Sequence, residues 1–134
     1  MRLLVVDDDR EVVELLVDAA KLYHVEQADC AFSGEEALAS AIRTTYDLIM
    51  LDIRMPGITG LEILSIIRNL CPHAVIAIIS GYVTDTVGSD SLSGYADLFL
   101  PKPVSIRTFM KLMELTGRFI KIRGHIQELD QRSK

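Results

Sequence analysis

Cysteine is scarce in this chain of 134 residues. Cys30 and Cys71 stand far apart with no C-x-x-C spacing, so neither a zinc site nor a disulfide framework is suggested, and a reducing cytoplasm is the expected location. Histidine is equally sparse: His24, His73 and His125 are scattered, which argues against a histidine-based metal centre. No apolar run approaches the ~20 residues of a membrane span. The apolar start, Met1 to Val6, meets Asp7-Asp8-Asp9 too soon to be read as a secretory signal. Basic charge is short in the body of the chain. Residues 1–117 carry 9 Lys/Arg against 17 Asp/Glu, residues 118–134 carry 5 against 2, and the formal net charge is −5. An acidic body disfavours direct nucleic-acid binding, which needs cations to neutralise phosphates. The basic tail reads as a solvated helix face. What remains is 49% hydrophobic and 25% charged, the balance of one soluble domain able to bury roughly two thirds of its unfolded surface.

Short apolar runs alternate with helical periodicity. Leu3–Val6, Leu48–Leu51 and Val75–Ile79 are continuous apolar stretches, as expected of strands buried on both faces. Between them lie stretches with a 3–4 residue beat: Val12, Leu16, Ala19 and Tyr23; then Ala37, Leu38, Ala41 and Ile42; then Leu61, Leu64 and Ile67. Ser33 with Glu36 three residues on forms a capping box at the start of the second helix. A further helix is predicted from near Ser105, with Ile106, Phe109, Met110 and Met113 on one side. Residues 25–30 are interrupted by charge and Leu98–Leu100 is short, so both read as edge strands. The result is an α/β fold: a flavodoxin-like, doubly wound, five-stranded parallel sheet in order 2-1-3-4-5, with helices on both faces. Residues 83–96 should form the fourth helix, but they are rich in Ser, Gly and Asp, and a short, weak element is expected.

Each central strand ends in a chemically active residue. The first runs into Asp7, Asp8 and Asp9, the third into Asp52, the fourth into Ser80, and the short last strand into Lys102-Pro103. Singly these have plain explanations: Asp8-Asp9 caps a helix, Asp52 starts a turn, Ser80-Gly81 is a strand exit, and Lys102 is a surface lysine. A parallel sheet, however, brings all these ends to one edge. Gathered carboxylates repel one another unless a cation sits among them, and an oxygen-only set favours a hard cation such as Mg²⁺. An ammonium and a hydroxyl facing a carboxylate then supply the parts of a phosphoryl transfer to Asp52.

The stretches Leu4–Asp9, Leu51–Gly60, Ile79-Ser80-Gly81 and Phe99–Pro103 together resemble the receiver domain of two-component response regulators, the CheY-like family, over residues 1 to about 117. The resemblance implies Asp52 as phosphoacceptor, and a Mg²⁺ site made by Asp7, Asp8, Asp52 and the backbone carbonyl of Arg54, with Asp8 as direct ligand and Asp7 acting mainly through a metal-bound water. It implies Ser80 and Phe99 as the switch pair and Lys102 as the partner of the acceptor site, followed by Pro103 where a cis peptide is common. Gly60 is read as allowing an unusual backbone at the start of the third helix. The partners implied are a sensor histidine kinase or histidine phosphotransfer protein and a downstream protein effector or fused output domain. The output surface would be the fourth helix, the fifth strand and the fifth helix. Such a module is not an enzyme beyond Mg²⁺-dependent self-phosphorylation and self-dephosphorylation. Arg54 and Tyr82 flank the path of attacking water and are expected to slow the latter, while Gly81 leaves the acceptor open.

Two other functions start from the same residues. An aspartate-nucleophile phosphatase of the haloacid-dehalogenase type wants a second acid two residues after the nucleophile, where this chain has Arg54. A pseudo-receiver would lack Asp52, an acidic partner or Lys102, and all are present. A flavin domain needs a Ser/Thr/Gly-rich phosphate loop where three aspartates stand. Residues 118–134 form a C-terminal helical extension or linker. Leu112, Leu115, Phe119, Ile122, Ile126 and Leu129 follow spacings of 3, 4, 3, 4 and 3, the seam of a short coiled coil. Against it, Gly117 and Gly124 each cost a helix about 1 kcal/mol. The tail therefore either ends its helix at Gly117 or continues it to dimerise the domain or lead into an effector.

Overall fold

The computed structural model describes residues 1–23, 25–81 and 94–133. Along these residues run β1 (Arg2–Val6), α1 (Arg10–Lys21), β2 (Gln27–Ala31), α2 (Gly34–Arg43), β3 (Leu48–Asp52), α3 (Gly60–Leu70), β4 (Val75–Ser80), β5 (Leu98–Pro101) and α4 (Ile106–Ser133). The five strands are all parallel in the order β2-β1-β3-β4-β5. Tyr82 and most of the expected fourth helix lie outside the described residues.

The continuous apolar runs have a simple cause. Alternate strand residues point to opposite faces, and both faces of this sheet are covered. Leu4, Val6, Ile49, Leu51, Ile76 and Ile78 pack with Ala37 and Ala41 of α2 and with Ile63, Leu64 and Ile67 of α3. Leu3, Val5, Leu48, Met50, Ala77 and Ile79 pack with Val13, Leu16 and Val17 of α1 and with Phe109 and Met113 of α4. Both edges are the strands that the sequence marks as polar or short: β2 is mostly half-buried and β5 spans four residues.

Side-chain caps set the helix starts. Ser33 accepts from the Glu36 amide at 3.2 Å, as the motif predicts, while the Glu36 carboxylate accepts from the amide of Phe32, one residue before the cap, at 2.6 Å. Ser105 accepts from the Thr108 amide at 3.1 Å ahead of α4. The stripe of α1 differs from the predicted one by a rotation. Val13, Leu16, Val17 and Ala20 are buried, whereas Val12 and Tyr23 are exposed. Two adjacent valines let the pattern be read either way, and the sheet takes the second. On α4, Phe109 and Met113 are buried as expected, but Ile106 is exposed. This helix runs unbroken for 28 residues through Gly117 and Gly124, so the tail is a helical continuation.

Tyr46, 2% exposed, precedes β3 and donates its hydroxyl to Asp29 of β2. Burial first, then that carboxylate, pushes the phenol up to about 12. The folded state thus holds the proton more tightly than the unfolded chain, whose tyrosine titrates near 10. The associated stability, about 2–3 kcal/mol, is intact below pH 10 and lost as pH rises to 12. In urea titrations between pH 9 and 12, wild type should lose that increment, and Tyr46→Phe should show a correspondingly flatter profile.

Candidate functional site

The register delivers the site. Val6 lies beside Leu51 and Asp52 beside Ile79, while Ser80 pairs with Pro101. The residues after β1, at the ends of β3 and β4, and after β5 therefore share the carboxyl edge of the sheet. Asp7, Asp8 and Asp52 offer carboxylate oxygens that lie within 4.8 Å of one another. Asp7 and Asp52 are buried, at 2% and 1% exposure, while Asp8 is exposed. Asp9 faces elsewhere, and its side chain caps α1 by accepting from the Val12 amide at 3.4 Å. The aspartate triplet is thus divided between the acidic cluster and the cap of α1, with Asp7 and Asp8 in the cluster as the family resemblance implied.

Lys102 supplies the counter-charge. Its ammonium lies 2.9 Å from Asp52 Oδ2 and 3.1 Å from Asp7 Oδ2, the second being a contact that no sequence motif foretells. Its backbone amide donates to the Ser80 carbonyl at 2.8 Å, tying the end of β5 to that of β4. The other Asp52 oxygen accepts from the Arg54 amide at 2.9 Å, and Asp7 Oδ1 accepts from the Asp9 amide at 3.0 Å. Burial pushes the Asp52 carboxyl up. The Lys102 hydrogen bond and the Arg54 amide pull it back, Asp7 adds repulsion, and the net displacement is upward. Burial pulls the Lys102 ammonium down, but Asp52 and Asp7 together outweigh it and hold it above its ordinary value.

The donor set fits a hard divalent cation. Three ionised carboxylates against one ammonium leave a deficit of two positive charges, in a pocket of oxygen donors with an exposed carboxylate at its mouth. That is the composition expected of a Mg²⁺ site, which takes one or two protein carboxylates and keeps several waters. Ser80 is buried beside this edge at 5% exposure. Phe99, half-buried, packs against the α2–α3 side of the core. Lys102-Pro103 is a cis peptide, as the motif suggests. An adjoining cleft of about 480 Å³ opens between α1 and the β5–α4 loop, lined by Val12, Leu15, Gly81, Lys102 and Pro103 among others.

Glycines shape the floor. Gly60 does not need a left-handed backbone; Gly57, with φ +80°, does. Gly60 is required by contact, because a Cβ there would meet the Asp52 carbonyl oxygen at 2.5 Å and Ile53 Cα at 2.8 Å. This corrects the reason the sequence suggested for it. Gly34 has a matching role that no sequence motif marks, its Cβ position lying 2.7 Å from the Ile58 carbonyl oxygen.

The profile of the response regulator receiver domain matches residues 3–114. This chain belongs to that family. A response regulator receiver protein of Anaeromyxobacter sp. (strain Fw109-5) is 33% identical over 111 residues, covering 83% of this chain and 46% of the relative. Among solved structures, the response regulator protein TrrA from Thermotoga maritima, in complex with Mg(2+)-BeF, superposes with a TM-score of 0.73 at 35% identity, covering 86% of this chain and 97% of that one. A CheY-like receiver domain protein from Methanospirillum hungatei JF-1 gives a TM-score of 0.78 at 27% identity over 90% of this chain and 96% of that one. The chain spans about half or less of the length of the curated relatives it matches. Receiver domains are signalling modules of two-component systems, and phosphorylation and Mg²⁺ binding are general to the family. Among the described residues no helix is long and apolar enough to cross a membrane.

Two measurements test this geometry. Gly60→Ala forces a Cβ against backbone and should cost about 1–3 kcal/mol, outweighing the 0.5–1 kcal/mol or so that alanine ordinarily gains over glycine in a helix. The readout is a lowered urea midpoint at unchanged slope. Mg²⁺ at about ten times its dissociation constant should stabilise the fold by about 1.4 kcal/mol, a rise of a few degrees in Tm. Asp8→Asn should remove most of that rise, and by relieving carboxylate repulsion should raise the metal-free Tm slightly.

Proposed function

We propose that Asp52 is the phosphoacceptor of a cytoplasmic two-component response regulator, with residues 1–117 as receiver and 118–134 as a C-terminal helical extension. The observation that carries this reading is the setting of Asp52: a carboxylate 1% exposed, hydrogen-bonded by Lys102, within reach of two further carboxylates, at the open end of a parallel sheet. A buried acid of that kind contributes little to folding and much to chemistry.

The donor is a phosphohistidine on a sensor histidine kinase or histidine phosphotransfer protein. An Asp52 carboxylate oxygen attacks phosphorus, the new O–P bond forms, and the N–P bond breaks with its electron pair left on the imidazole nitrogen. Asp7, Asp8, Asp52 and the Arg54 backbone carbonyl would hold Mg²⁺. When bound, that ion supplies the missing positive charge at the carboxylates and the phosphoryl oxygens. Lys102 stays on the phosphoryl oxygens as charge passes to them, and Ser80 donates a hydrogen bond to one of them. The phosphoryl group brings up to about two negative charges and three acceptors, so Ser80 and Lys102 gain contacts available only in the modified state. Those contacts bias the chain after β4 and β5 toward the phosphoryl group, with Phe99 turning inward as Ser80 advances. The expected output surface, the fourth helix predicted over 83–96 together with β5 and α4, then carries the signal to a protein effector or a fused output domain; of these elements β5 and α4 lie among the described residues.

Treatment with acetyl phosphate and Mg²⁺, read by intact mass, should add one phosphoryl group to wild type and none to Asp52→Asn. Lys102→Ala should be labelled at least tenfold more slowly. On labelling, amide exchange should change across β5 and the first turns of α4. Labelled Asp52→Asn would overturn the assignment.

A further inference from the structure

A second cleft lies at the margin of the sheet opposite Lys102. It holds about 460 Å³ between α4 and the entries of β4 and β5. Ala74, Val75 and Leu98 line it from the sheet, and Leu112, Leu115 and Phe119 line it from α4. Leu115 and Phe119 are 47% and 48% exposed, so this apolar lining stays open to solvent. It shares no residue with the acidic cluster or with the cleft beside Lys102.

One charge at this cleft is unmatched. Arg68 pairs with Asp97 at 2.8 Å and donates to the carbonyls of Pro72 and Ala74. Asp97 also accepts from the Ile76 amide, and the buried Thr116 hydroxyl donates to the Leu112 carbonyl at 2.8 Å. Arg123 differs. Its Nη1 donates to the His73 carbonyl at 2.7 Å, and its guanidinium lies 5.6 Å from the centre of the Phe119 ring. Among the described residues no carboxylate pairs with it. Arg68 and Asp97 cancel, which leaves one uncompensated positive charge beside an apolar lining. A guanidinium carries five N–H groups in a fork that matches a carboxylate. One bond to the His73 carbonyl leaves most of that fork to a further acceptor.

We propose that this cleft binds a small monocarboxylate with an apolar tail, of the size of a medium-chain fatty acid. Its head sits on Arg123 and its tail lies between α4 and the sheet. The volume falls within the roughly 300–1,000 Å³ of small-molecule sites, which are mostly apolar with a few polar anchors. A peptide fits less well. Its backbone N–H and C=O groups all need partners, whereas the carbonyls of Pro72, His73 and Ala74 and the amide of Ile76 are already engaged. A fatty acid brings a single polar group, and Arg123 answers it. A ligand held this way touches the strand entries and α4 together, so it fastens the start of the C-terminal extension to the domain.

Titration of the 1–134 chain with decanoate below its micellar range, followed by nitrogen–proton correlation spectra, tests the proposal independently of any phosphorylation. The expected result is saturable shifts at the amides of Ala74, Val75, Leu98, Leu115 and Phe119, with a submillimolar dissociation constant. Decanol, with the same tail and no charge, should bind about fivefold or more weakly, and acetate should not saturate. Arg123→Gln should weaken decanoate to the level of decanol and leave decanol unchanged, a charge signature that a merely structural role for Arg123 would not give. Arg123→Lys should recover part of the affinity. Leu115→Ser, at an exposed position, should weaken both tailed probes. Shifts confined to other surfaces, decanol binding as tightly as decanoate, or decanoate binding indifferent to Arg123→Gln or to Leu115→Ser would each overturn it. So would tighter binding of the acidic peptide acetyl-Leu-Glu-Leu-amide than of decanoate.

Discussion

Lys102 reaches two buried carboxylates at once, Asp52 at 2.9 Å and Asp7 at 3.1 Å, and the rest of the molecule is arranged around that contact. A buried carboxylate loses hydration that a single hydrogen bond does not replace, and two of them in one pocket repel. The lysine is one third exposed, so it is held at the edge of the pocket and its charge remains accessible to an incoming anion. The imbalance left behind, two charges short of neutrality with all three carboxylates ionised, is stored by folding. Hydrophobic burial on both faces of the sheet holds it in place.

The scaffold around this contact is built from backbone. The Arg54 amide bonds Asp52, the Lys102 amide bonds the Ser80 carbonyl, and Gly60 lets α3 begin against the carbonyl of Asp52 itself. Gly34 brings the start of α2 against Ile58 in the same loop. Two helix starts and three strand ends therefore meet within a few residues of the acceptor. Local structure becomes local electrostatics here, since main-chain groups are dipoles whose positions do not depend on rotamer choice.

Much of this was legible in the chain. Apolar runs without alternation marked the three central strands, polar or short segments marked the edges, and Ser33 with Glu36 marked a helix start to the residue. The convergence of Asp7, Asp8, Asp52 and Lys102 was legible because a parallel sheet converts distant strand ends into neighbours. What was not legible depended on distances the pattern does not encode. Val12 and Val13 satisfy a helical stripe equally well, and only packing against the sheet chooses the second. The exposure of Ile106 on α4 was not legible either, because its place in the helical stripe is the same whether or not a neighbour covers it. The need for Gly60 comes from the backbone of Asp52, eight positions away, and the Asp7–Lys102 contact from a chain separation no local motif spans.

Arg68 has a consequence for how strain travels through this fold. From α3 it donates to the carbonyls of Tyr95, Pro72 and Ala74 and to the carboxylate of Asp97, which also accepts from the Ile76 amide. These contacts rivet the entry of β5 to the entry of β4, at the margin of the sheet opposite Lys102. Any strain arising at the carboxyl margin therefore meets an amino-terminal margin already held by these five hydrogen bonds.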